Sequence, residues 1–181
     1  MPTRTPPIPN SYWVNDHLLA GEYPAGVDIR STREKLAHLL DAGISVFIDL
    51  TEHFELPPYD AILKEEAAAR GLTAEHVRMS IRDANVTTVR HMREILAQIE
   101  RHAQANRAAY VHCWGGVGRT GTVVGCHLVE QGQTGDEALA EVARLFATMS
   151  REKLTNHPDG SPETDEQKAM IRAWSGADPS A

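Results

Sequence analysis

The chain has 181 residues, 41% hydrophobic and 24% charged, enough for one globular domain with a sizeable core. Lys and Arg number 18 against 25 Asp and Glu, and the formal charge of −7 argues against general nucleic-acid binding or adhesion to anionic membranes. No apolar run approaches a membrane span, the two cysteines do not make a disulfide framework, and MPTRTPPIPN lacks the apolar core of a signal peptide. A reducing cytoplasm is therefore the expected compartment.

Residues 1–10 are proline-rich and read as an irregular segment. A domain over 11–175 and a tail over 176–181 follow from the patterning. YWVNDHLLAGEYP predicts two short strands around a turn at Asn15-Asp16. STREKLAHLLDAG predicts a helix, with Ser31 and Glu34 at capping-box spacing, Leu36, Leu39 and Leu40 on one face, and Gly43 as its stop. ISVFIDL is a continuously apolar run, expected as a strand buried on both faces. After the polar loop TEHFELPPYD comes a second helix that ends at Gly71, and EHVRMSI is a further strand. Val89, Met92, Ile95, Leu96 and Ile99 share one stripe of a long helix capped by Thr87 or Thr88. AAYVH is another strand, and helices follow at RTGTVVGCHLVEQG and TGDEALAEVARLFATMS, the latter with a Thr134–Glu137 capping box. The last helix, SPETDEQKAMIRAW, places Ser161 as N-cap and Pro162 at its first position. Strands alternating with helices predict a single α/β domain with a central, largely parallel sheet flanked by helices.

The stretch YVHCWGGVGRTG carries the chemistry. Its strand ends near His112 and its helix starts near Arg119, so Cys113 lies at the C-terminal end of a strand, where open α/β sheets bind ligands. Trp114, Gly115, Gly116, Val117 and Gly118 form a turn whose successive N–H groups point inward. Such a nest ahead of a helix N-terminus binds phosphate or vanadate-like oxyanions, with the Arg119 guanidinium gripping two oxygens. Inward N–H groups, the helix dipole and a guanidinium favour a thiolate; a free thiol titrates near 8.5, and such surroundings lower that to about 3.5–7.5. The inferred reaction is in-line attack on phosphorus with a phosphocysteine intermediate.

HCWGGVGRTG resembles the His-Cys-x5-Arg-Ser/Thr-Gly signature of cysteine-dependent protein tyrosine phosphatases, including their dual-specificity branch. LLAGEYP, FIDLTE and SPETDEQ are similar to compact bacterial or archaeal members. The resemblance implies Cys113 as nucleophile and Arg119 as transition-state binder. It also implies Thr120 as the hydroxyl that steadies the departing sulfur, and His112 as an orienting neighbour. It calls for a general acid on a separate loop after a strand. Asp83 in MSIRDANVTT stands there, preceded by Ile81-Arg82 where the best-known tyrosine phosphatases have Trp-Pro; a turn or cap role is the alternative. Asp49 and Glu52 are rival carboxylates, better suited to pairing with Arg119. ETDEQ resembles a Gln-Thr-x-x-Gln loop that positions the hydrolytic water, which makes Gln167 a candidate; a plain helix start is the alternative. Phe54 and Tyr59 are candidate walls for an aromatic substrate, against a plain surface loop. Cys126 reads as a small buried apolar residue. No histidine pair has convincing ligand spacing with the cysteines, so neither metal nor other cofactor is expected.

The function implied is hydrolysis of phosphate monoesters on proteins, chiefly phosphotyrosine, with phosphoserine and phosphothreonine as further substrates. A phosphoinositide or inositol phosphate is the alternative substrate; CWGGVGR lacks loop lysines, while Arg78, Arg82, Arg90 and Arg93 would supply a basic rim. A phosphoprotein-binding module without turnover is the alternative of another class.

Overall fold

Each apolar run supplies side chains to two faces, because successive residues of a strand point to opposite sides. The computed structural model describes residues 4–175, and the tail expected over 176–181 lies outside them. Five strands form the sheet: β1 (Ser11–Asn15), β2 (Leu18–Gly21), β3 (Ile44–Asp49), β4 (Glu75–Arg78) and β5 (Ala108–His112). Their order is β1-β2-β5-β3-β4; β1 is antiparallel to β2 and all other pairings are parallel. The helices are α1 (Ile29–Asp41), α2 (Asp60–Ala69), α3 (Val89–Gln104), α4 (Gly118–Glu130), α5 (Gly135–Phe146), α6 (Arg151–Asn156) and α7 (Asp165–Ala173). This is one α/β domain with a five-stranded, mostly parallel sheet flanked by helices.

The alternation divides the core in two. Leu19, Phe47 and Tyr110 pack with Leu36 and Leu39 of α1 and Leu63 and Ala67 of α2. Their neighbours Leu18, Ala20, Val46, Ile48, Ala109 and Val111 pack with α3, α4, α5 and α7, through Met92, Val123, Val142 and Ile171 among others. Cys126 is fully buried there, and burial pushes its thiol up to about 12. From the first ten residues, Ile8 enters the α1–α2 core and the Arg4 guanidinium lies 3.9 Å from the centre of the Trp13 ring. Among the described residues no helix is long and apolar enough to cross a membrane.

Helix ends show where local patterns were outbid. The Thr134–Glu137 capping box forms, and Thr88 accepts from His91 N at 3.1 Å to cap α3. Gly43 and Gly71 take positive φ values of 88° and 66° after their helices. The expected Ser31–Glu34 box does not form. Asp28, a charged acceptor three residues earlier, takes the Ser31 N–H at 2.7 Å, and Glu34 pairs with Arg30 instead. Ser161 does not cap α7, because its hydroxyl donates to Val117 O at 2.7 Å; Thr164 is the cap, in a box with Gln167. Val89 is half-exposed, unlike the rest of its stripe. The short helix α6 had no counterpart in the sequence patterns. β4 ends at Arg78, but Met79 N and Ile81 N still donate to Asp49 O and Leu50 O, which steers Asp83 beside the end of β3.

Candidate active site

The loop between β5 and α4 begins with a close approach. Gly116 has φ 72°, and a Cβ there would lie 2.4 Å from the Gly21 carbonyl carbon and 2.6 Å from Glu22 N. Only glycine lets the loop press against the end of β2 in that conformation. The loop is pinned by Tyr23 N donating to Trp114 O at 2.9 Å, and β5 by Leu50 N donating to His112 O at 2.9 Å. Loops from four parallel strand ends thereby meet around one cavity of about 1000 Å³. Cys113, Arg119 and Asp83 all line it. His112, Thr120 and Gln167 do not; all three are fully buried behind it.

Arg119 is buried although always charged, so it requires partners. Its Nη1 and Nη2 donate to Glu55 Oε2 at 2.9 Å and Oε1 at 2.6 Å, a two-pronged pair. Nη1 also donates to Ile81 O at 3.1 Å, and Nη2 lies 2.8 Å from Asp83 Oδ1. Nε is buried and has no hydrogen-bond partner among the described residues. Burial works against both charges of the Arg119–Glu55 pair, but their mutual hydrogen bonds prevail: the guanidinium is held above its usual range and the Glu55 carboxyl below. The side chain of Asp83 is 60% exposed against 1% for Arg119, so it reaches the guanidinium from the solvent side.

Glu55, rather than Asp49 or Glu52, thus pairs with Arg119. Asp49 is buried and fully engaged, with Thr51 Oγ1 at 2.6 Å, Arg78 Nη2 at 2.9 Å and His76 Nε2 at 3.0 Å. Burial opposes its charge, yet the His76 hydrogen bond and the other partners hold its carboxyl well below the usual range. Glu52 is exposed, and its N–H donates to Glu55 Oε2 at 2.9 Å. The signal for Glu55 was indirect: a buried signature arginine demands a carboxylate, and Glu55 follows Asp49 and Glu52, the two that were weighed.

His112 Nε2 lies 2.7 Å from Tyr59 OH, and its Nδ1 lies 3.3 Å from Cys113 O. Burial lowers its pKa to about 4, so the ring is neutral, and the assignment that satisfies both contacts has Nδ1–H donating to Cys113 O and Tyr59 O–H donating to Nε2. Tyr59 is therefore buried support for the Cys113 backbone, through His112, and does not line the cavity. Phe54 is fully exposed and does not line the cavity. Thr120 Oγ1 is buried without a hydrogen-bond partner among the described residues. Gln167 Oε1 accepts from Glu163 N at 3.0 Å and Thr164 N at 3.1 Å, and its Nε2 donates to Asn85 O at 3.2 Å, tying α7 to the Asp83 loop.

The expected arginine rim does not form. None of Arg78, Arg82, Arg90 and Arg93 lines the cavity; Arg78 is paired with Asp49 and Arg90 with Glu94. The cations on the wall are instead Lys35 and Lys153, which share the Glu22 carboxylate at 3.0 and 3.1 Å, with His157 nearby.

Comparisons with known proteins place the chain in a family and match its fold. The family model described as the Swiss Army Knife protein, DSP-PTPase phosphatase domain, matches residues 12–171. The structure of Tk-PTP in its active form is similar at a TM-score of 0.68 and 26% identity, covering 92% of this chain and 97% of that one. PTPMT1 in complex with PI(5)P has a TM-score of 0.68 at 17% identity, over 92% and 94% of the two chains. A P. aeruginosa TpbA in complex with pTyr has 0.62 at 15% identity, over 97% and 96%. The last two similarities establish the fold alone.

Proposed function

This chain belongs to the Swiss Army Knife DSP-PTPase phosphatase-domain family, and from that premise we propose that it hydrolyses phosphate monoesters on proteins, chiefly phosphotyrosine, through a phosphocysteine. One observation carries the proposal: Cys113, Arg119 and Asp83 line a single cavity, together with the apolar residues Tyr23, Leu56, Pro57 and Ile62. In this scheme the Cys113 sulfur attacks phosphorus in line as the P–O bond to the leaving group breaks. Arg119 holds the equatorial oxygens, since a planar fork matches a flattening phosphoryl group. Asp83 gives its proton to the departing oxygen, a contribution of typically about 10²–10⁴-fold. Water then attacks the phosphocysteine with Asp83 as base, Thr120 steadies the leaving sulfur, and His112 holds the backbone carbonyl of Cys113. Gln167 has one Nε2 hydrogen left beyond its three hydrogen bonds, and any hold it has on the water acts through that hydrogen.

The apolar residues Tyr23, Leu56, Pro57 and Ile62 along the cavity favour an aryl phosphate, which has an apolar ring to bury. Cys113→Ser is expected to abolish turnover of nitrophenyl phosphate while retaining vanadate binding by calorimetry, because the N–H nest and Arg119 remain. Turnover by the serine variant would remove Cys113 from the mechanism. A second reading, a phosphoinositide or inositol phosphate substrate, draws support from Lys35 and Lys153 on the wall. Glu22 bridges both ammonium groups and cancels one of their two charges, which leaves little pull for further phosphates, so this reading ranks second.

A further inference from the structure

Of seven large hydrophobic residues that stand exposed among the described residues, three line this one cavity: Val27 at 100%, Ile29 at 62% and Trp114 at 59% exposure. Val27 and Ile29 flank the N-cap of α1, and Trp114 follows the candidate nucleophile. Nothing in the packing of the domain requires them outside. Apolar side chains gathered at the mouth of a cavity mark a surface that another molecule covers. What covers this one also reaches the phosphate loop, because the rim and the loop belong to the same cavity; the occupant carries the phosphoryl group itself.

The charges on the rim narrow the occupant further. Asp28 stands between Val27 and Ile29, and its carboxylate caps α1 by accepting from Ser31 N at 2.7 Å, so it is fixed in place. Glu163, 3.7 Å from His157, and the largely exposed Asp83, 2.8 Å from Arg119, line the same cavity. Lys35 and Lys153 share the single Glu22 carboxylate, which cancels one of their two charges. A segment bringing further carboxylates would meet anions at the rim, and one bringing aliphatic or aromatic side chains would meet Val27, Ile29 and Trp114.

We propose that the rim formed by Val27, Ile29 and Trp114 selects phosphotyrosyl segments whose neighbouring residues are aliphatic or aromatic and rejects those with acidic neighbours. This rests on the phosphotyrosine reading above and adds a sequence preference to it. The rim is a specificity surface: it binds the flanks and leaves the phosphoryl chemistry to the loop. Burying one medium-sized apolar side chain is worth about tenfold or more in affinity, so the preference shows chiefly in KM.

Two phosphotyrosyl peptides decide the matter, identical except for leucine or aspartate on each side of the phosphotyrosine. The expected result is a kcat/KM for the leucine peptide at least about tenfold above the aspartate peptide. In the double variant Val27→Lys, Ile29→Lys, which removes the apolar contacts and sets cations against the rim carboxylates, that ratio is expected to fall close to one. Both positions are exposed, so the variant folds. Equal turnover of the two peptides by the parent enzyme overturns the rim assignment and leaves the phosphotyrosine reading standing. A preference that survives in the double variant also overturns it. Failure to hydrolyse either peptide while nitrophenyl phosphate is turned over overturns the phosphotyrosine reading itself.

Discussion

Gly115 and Gly116 are adjacent in the sequence and have opposite tolerances. A Cβ on Gly115 would meet Val117 Cγ2 at 3.5 Å, an ordinary contact, with His157 and Lys153 no closer than 3.9 Å. A Cβ on Gly116 would overlap the Gly21–Glu22 backbone in a left-handed conformation that by itself costs about 1–2 kcal/mol. Gly115→Ala should therefore keep kcat/KM for nitrophenyl phosphate within a few-fold of the parent. Gly116→Ala should shift the loop and lose on the order of 10²-fold, the cost of a misplacement near 1 Å. Steady-state kinetics with thermal melting of both variants checks this. Two equally damaged variants would mean that loop flexibility, rather than the approach to β2, is what the glycines supply. Cys113 and Arg119 could be read from the sequence because they stand only six positions apart, at a spacing the signature sets. Glu55 and Lys153 could not, because their partners Arg119 and Glu22 are 64 and 131 positions away (119 − 55 and 153 − 22) and are brought together only by the fold.

Helix α4 meets α7 through a face with no side chains. Gly118, Gly121 and Gly125 recur at i, i+3 and i+7, and a Cβ on each would run into Gln167, Ser161 and Ile171 respectively. This approach brings the start of α7 against the phosphate loop and explains why the Ser161 hydroxyl is bound to Val117 rather than capping the helix. The sequence marked all three glycines but not their use, since a glycine within a helix is silent about what approaches it. A Cβ on Gly125 would lie 2.3 Å from Cδ1 and 2.7 Å from Cγ1 of the fully buried, β-branched Ile171, so in Gly125→Ala the overpacking should at least cancel a helix-propensity gain of roughly 1 kcal/mol. Gly125→Val should overpack the contact and destabilise by about 1–3 kcal/mol. Urea unfolding measures both; a valine variant as stable as the alanine one would show that α7 is free to shift. The strands and long helices were legible because their apolar periodicities are local. The misplaced caps at Ser31 and Ser161 were not, because a better acceptor in one case and a loop carbonyl in the other claimed the side chain.

At the scale of the molecule, acid weakens this fold through its buried imidazoles. Burial lowers the pKa of His102 and His127, and that of His112 to about 4 from an ordinary 6.5. Between those two values the unfolded chain takes up a proton that folded His112 refuses, so stability is intact above pH 6.5 and falls as pH drops toward 4. The His112 share is roughly 3 kcal/mol, and His112→Asn should flatten the decline of unfolding free energy over that window. An unchanged slope would assign the acid sensitivity to the other histidines. Arg119 joins the molecule in a different sense, since its one guanidinium fastens the loops after β3 and β4 to α4. A phosphoryl dianion that takes two donors from it has Nε open and must take Nη2 from Asp83. Occupancy therefore unlatches one loop while it fastens the rest. Saturating vanadate should raise the melting temperature, by about 2.7 kcal/mol of added stability at a hundred times Kd, and yet amides of residues 82–86 should exchange faster with solvent deuterium. In the empty site Asp83 is thus held on Arg119, and an arriving phosphoryl group is itself the key that sets it loose.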